Sequence, residues 1–158
     1  MGSYLGIDPG LAATGWGVVD AQGRVAACGT IKTAPGPDGP RLVAIAAELE
    51  RVLAQHGVAE AALEELFMGR NRTSALGVAQ ARGVVVLTLE RCGVACFEYK
   101  PAQVKATVTG YGAASKQQIA RMLAAQGVRE RLDEHAADAV AIALCHSRSR
   151  RLRVLTGT

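Results

Sequence analysis

The sequence predicts a single α/β domain: a mixed five-stranded sheet flanked by helices on both faces. Three observations lead there. Between residues 4 and 33, three apolar, strand-like segments follow one another with only short turns between them. From residue 41 onward, helical and strand-like patterns alternate. The chain has 158 residues and is 49% hydrophobic, enough for one full core but not for two domains.

Residues 4–7 form a short apolar run that reads as a buried strand, and Asp8-Pro9-Gly10 ends it in a turn. Residues 14–20 alternate around Trp16, Val18 and Val19, and residues 24–33 follow after Ala21-Gln22-Gly23, completing an antiparallel meander. A Pro/Gly loop occupies 34–40. Residues 41–55 read as a helix, because Leu42, Ile45, Ala46, Leu49, Val52 and Leu53 share one face and Gly57 supplies a stop. Residues 61–67 read as a strand, apolar except for the pair Glu64-Glu65, and 69–72 as a polar loop. A helix rich in small residues spans 73–91, and a strand spans 94–99. Pro101 suits the first turn of a helix. Ser115 caps a further helix running to Ala125, and Asp133 caps a last one from Glu134 to about Ser147. Residues 1–147 thus make up the domain, and 148–158 a basic tail that is expected to fray.

The net charge is +4, and its placement is informative. Arg148, Arg150, Arg151 and Arg153 stand in an acid-free terminus; without them, 14 basic residues balance 14 acids. The stretch 99–129 holds Lys100, Lys105, Lys116, Arg121 and Arg129 with no acid, and 66–89 holds Arg70, Arg72 and Arg82 with none. One-signed stretches point to a polyanion such as nucleic acid. No apolar run is long enough to span a membrane, and residues 1–20 lack a signal pattern. Cys28, Cys92, Cys96 and Cys145 have no zinc spacing, so four reduced thiols in a cytosolic protein are expected.

The acids carry the chemistry. Asp8 leaves an inner strand, and strand exits are where open α/β sheets hold their sites. Either Glu64 or Glu65 must face inward, since neighbours on a strand point opposite ways. On the last helix, Asp138 shares a face with both His135 and Glu134. Carboxylates gathered from two strands and a helix would not all stay ionised without cations. Oxygen ligands favour magnesium or manganese, and two such ions can clamp the attacking and leaving oxygens of a phosphodiester. An acidic metal site beside basic stretches describes a nuclease. A DNA-binding module without catalysis would need the basic stretches but not the acids. An actin-like ATPase opens on a similar strand but needs two such domains.

Gly6-Ile7-Asp8-Pro9-Gly10 followed by Thr14-Gly15-Trp16-Gly17 resembles the opening of the RuvC family of Holliday-junction resolvases. The segments 63–71, 80–84, 97–99, 103–105 and 138–143 resemble its later blocks in the same order, so the resemblance runs from about Tyr4 to His146. It implies a ribonuclease-H-like fold and a homodimer. It also implies a divalent-metal endonuclease that nicks four-way DNA junctions symmetrically, favours T-rich sequences and works with a branch-migration motor. By motif, the metal ligands are Asp8, Glu64 and Asp138, which selects Glu64 over Glu65. Lys105 and Lys116 match family lysines near the scissile strand, Lys105 as a catalytic candidate. Phe67 offers a stacking surface for an unpaired base, and Arg70, Asn71 and Arg72 join it as DNA contacts.

One departure stands out. Many members carry an acid three residues before the position matched by Asp138, where this chain has His135. The i, i+3 register favours His135 as fourth ligand, with Glu134 the alternative. A ring nitrogen there favours manganese over magnesium in a two-ion site.

Overall fold

The computed structural model describes residues 2–66, 72–109, 121, 124–125 and 133–157. Three strands open the chain: β1 (Ser3–Asp8), β2 (Ala13–Val19) and β3 (Val25–Lys32). Helix α1 (Asp38–His56) and strand β4 (Val58–Glu64) follow, then α2 (Arg72–Arg91) and β5 (Ala95–Tyr99). Helices α3 (Pro101–Thr109) and α4 (Glu134–Thr156) complete the described elements. The sheet order is β3-β2-β1-β4-β5; β1, β2 and β3 pair antiparallel, and β1-β4 and β4-β5 pair parallel. This is the mixed five-stranded sheet that the sequence predicts, with β1 at its centre.

Side-chain alternation assigns each strand two faces. Leu5 and Ile7 of β1, Trp16 and Val18 of β2, and Ala61 and Leu63 of β4 pack with Ile45, Leu49 and Val52 of α1 and Val85 and Leu89 of α2. On the other face, Ala62 packs with Val140, Ala141 and Ile142 of α4, Val104 of α3 and Tyr99. Helices therefore cover both faces.

That second face is built for close approach. A Cβ placed on Gly6 would collide with the carbonyl of Ala139, one on Gly15 with the carbonyl of His135, and one on Gly17 would lie 2.5 Å from Val140. Glycines on β1 and β2, opposite alanines and a valine, let the α4 backbone lie directly on the sheet. Here glycine serves as a missing side chain, not as a flexible hinge.

Three elements differ from the sequence reading by more than one residue. Helix α1 starts at Asp38, inside the expected loop, because Pro40 falls in the first turn, where a missing N–H costs no intrahelical bond, and Asp38 suits the helix dipole. Strand β4 spans Val58–Glu64, not 61–67, so Glu64 is its last residue. The basic terminus does not fray into a tail: α4 continues to Thr156, and the left-handed Gly157 (φ 69°) donates its N–H back to the Arg153 carbonyl. Arg150 also pairs with Glu60 at 2.7 Å, and Arg148 bonds the Thr107 carbonyl. The helix expected from Ser115 lies mostly outside the described residues. Cys92, Cys96 and Cys145 form no disulfide. Among the described residues, no helix is long and apolar enough to cross a membrane.

Candidate active site

Parallel pairing sets the first two acids side by side. Ile7 is in register with Leu63, so Asp8 and Glu64 leave adjacent strands at the same level. Both follow a residue facing α1 and α2, so both face α4. Glu64 is half-buried, whereas Glu65 is exposed.

The N-terminus of α4 meets them there. Asp133 caps the helix: its side chain accepts the Ala136 N–H at 2.9 Å and the Thr30 hydroxyl at 2.6 Å. Burial works against this carboxylate, but those hydrogen bonds outweigh it and hold Asp133 below the usual range. The cap ties α4 to β3, and the glycine-lined face fixes its height above the sheet. His135 then projects so that Nδ1 lies 3.3 Å from Asp8 Oδ2. Asp138, one turn on, lies close enough to Glu64 to act on it electrostatically, as does Lys105 from α3.

The Glu64 carboxyl reports the local field. Burial raises its pKa most, Asp8 and Asp138 raise it further, and the Lys105 ammonium opposes them. Three carboxylates thus share one region of negative potential. Among the described residues, no three His, Cys, Asp or Glu side chains close into a finished metal cage. The donor set nevertheless suits a hard divalent cation: carboxylate oxygens, one imidazole, and a field that penalises negative charge without a counter-ion.

Of the predicted site residues, Asp8, Glu64, His135, Asp138 and Lys105 come together. Phe67, Arg70, Asn71 and Lys116 lie outside the described residues, and only the backbone of Arg72 is described, as the first residue of α2. Arg82, counted in the acid-free stretch 66–89, has protein partners of its own. Its guanidinium donates to the Glu64 carbonyl at 2.9 Å and to Glu98 Oε1 at 2.6 Å. A signal was present: Arg82 lies three and seven residues before Val85 and Leu89, at the edge of the buried helix face.

The family profile of Crossover junction endodeoxyribonuclease RuvC matches residues 4–146. This chain belongs to the RuvC family. A RuvC of Roseiflexus sp., named a crossover junction endodeoxyribonuclease, is 46% identical over 150 residues, covering 90% of this chain and 89% of the relative. The structure of T. thermophilus RuvC in complex with a Holliday junction substrate superposes with a TM-score of 0.86 at 34% identity, covering 96% of each chain. The yeast mitochondrial Holliday junction resolvase Ydc2 superposes with a TM-score of 0.66 at 12% identity, covering 94% of this chain and 78% of that one; that likeness concerns the fold alone. The fold is ribonuclease-H-like, as the resemblance implies, and membership of the RuvC family implies a divalent-metal nuclease.

Proposed function

We propose that this chain resolves Holliday junctions as a cytoplasmic homodimer, nicking two strands symmetrically in a reaction that needs divalent metal. The observation that carries this is the meeting of Asp8, Glu64 and the first turns of α4 on one face at one end of the sheet. Asp8, Glu64, His135 and Asp138 are the proposed ligands of two ions, with manganese preferred. Bound there, divalent metal would supply an activated water and offset charge on the phosphate. Asp8 and Glu64, on adjacent parallel strands, would hold the metal from the sheet side. His135 and Asp138 would hold it from the helix side. Lys105, on the neighbouring helix, is proposed to offset negative charge as the scissile phosphate enters; its effect on Glu64 supports this.

Phe67 is proposed to stack on an unpaired base at the opened junction, while Arg70, Asn71, Arg72 and Lys116 hold phosphates. For the dimer, α2 supports the reading. Leu76 and Leu87 are 63% and 57% exposed and lie on one stripe with Gly83, whose surroundings are open. Such a stripe suits two-fold packing of α2 on its copy. A branch-migration motor is the proposed partner in the cell. The test is incubation of the protein with a labelled four-way junction and a linear duplex of the same sequences, with manganese, magnesium or chelator. Paired nicks in the junction only, and only with metal, are expected. Metal-independent binding without cutting would favour a non-catalytic module.

A further inference from the structure

We propose that Arg82 is a positioning residue for Glu64, gripping its backbone from the face opposite its carboxylate; this deepens the nuclease reading and depends on it. Glu64 is the last residue of β4, where the ladder to β5 ends with the Glu65 N–H donating to the Tyr99 carbonyl at 2.8 Å. The Glu64 C=O and the Glu65 N–H belong to one planar peptide, so this last ladder bond holds that peptide from its N–H side and leaves its C=O side to be held by another group. Arg82 supplies a tie from α2. Nη1 donates to the Glu64 carbonyl at 2.9 Å and Nη2 to Glu98 Oε1 on β5 at 2.6 Å.

One guanidinium thus joins α2, the end of β4 and β5. Its planar fork fixes the angle between two acceptors, which a lysine ammonium cannot do. Its side chain is only 14% exposed, and Glu98 offsets its charge. That environment suits a structural clamp better than a phosphate contact. Rotating the Glu64 peptide would swing the carboxylate relative to Asp8, and metal sites lose affinity when groups behind their ligands are removed.

The test compares the parent with Arg82→Lys, Arg82→Gln and Glu98→Gln. Manganese binding without DNA is followed by calorimetry, cleavage by manganese titration, and junction binding in chelator at several salt concentrations. In Arg82→Gln and Arg82→Lys, the manganese needed for half-saturation should rise about tenfold or more, with junction affinity and its salt slope unchanged. Glu98→Gln keeps an acceptor for Nη2 and should change the metal requirement less than either. A salt slope reduced by about one unit would make Arg82 a phosphate contact and overturn the proposal. An unchanged metal midpoint with a lower Tm would make it merely structural and also overturn it. If Arg82→Gln does not fold, Arg82→Lys decides by the same criteria. A parent that neither binds manganese nor cuts junctions overturns the proposed function, and this inference with it.

Discussion

At His135 the chain offers a ring nitrogen 3.3 Å from the Asp8 carboxylate, one turn before Asp138. Magnesium prefers oxygen donors and keeps its waters, whereas manganese accepts imidazole readily. Cleavage should therefore be faster with manganese. His135→Asp should raise the magnesium-supported rate relative to the manganese rate by about tenfold. Parallel rate assays check this, and an unchanged ratio would direct attention to Glu134. A second histidine acts on stability. His146 is fully buried on α4, its Nδ1 2.8 Å from the Tyr99 hydroxyl and its Nε2 2.8 Å from Glu60, whose other oxygen meets Arg150. The rings of Tyr4 and Phe97 also pack against it. Burial is the largest influence and pulls its pKa down; Glu60 opposes, and Arg150 and Arg153 add to the lowering. The folded protein therefore binds fewer protons here than the unfolded chain. The resulting stability is whole above about pH 6.5 and is lost as pH falls through the lower folded value. His146→Gln should cost about 1–3 kcal/mol near pH 7 and flatten the decline of Tm between pH 7 and 5. An identical decline in the variant would contradict this.

At the scale of elements, the contact of α4 with β1 and β2 decides whether a site exists. Gly15 faces the His135 carbonyl, and an added Cβ would also lie 3.0 Å from the Ala136 nitrogen. Gly15→Ala should lower stability by about 1–3 kcal/mol through overpacking. By lifting the first turn of α4, it should also raise the metal concentration needed for cutting. Thermal melts and metal titrations check the two effects, and a variant with parental values would mean that α4 has room to spare. Periodicity revealed these elements because apolar faces are written directly into sequence: the buried Ile45, Leu49, Val52 and Leu53 of α1 follow the helical repeat. The ends were less legible. Pro40 reads as a loop residue until it is known to occupy a first turn, and the arginines after Ser147 read as a loose end until Glu60 and the Thr107 carbonyl are found beside them.

For the whole molecule, the mixed five-stranded sheet and both helical layers followed from the meander and the alternation after it, whereas the strand order β3-β2-β1-β4-β5 is visible only in the structure. The strand-exit position of Asp8 was readable for the same reason. Glu64 was not separable from Glu65 by local pattern, since an exposed and a half-buried acid look alike until register is known. Only the resemblance to the RuvC family, or the pairing of Ile7 with Leu63, made the choice. The role of Arg82 was hidden because charge counts treat every arginine as available, whereas tertiary structure turns this one inward onto Glu98 and the Glu64 carbonyl. In the proposed nuclease, acids from two parallel strands and one helix hold the metal that cuts the junction. Asp8→Asn tests this most directly, measured as junction cleavage at saturating manganese alongside junction affinity in chelator. Removing one carboxylate charge should abolish cutting, with a loss of at least about a hundredfold, while phosphate contacts keep binding within about twofold of the parent. Near-parental cutting by Asp8→Asn would mean that this carboxylate holds no metal needed for cleavage.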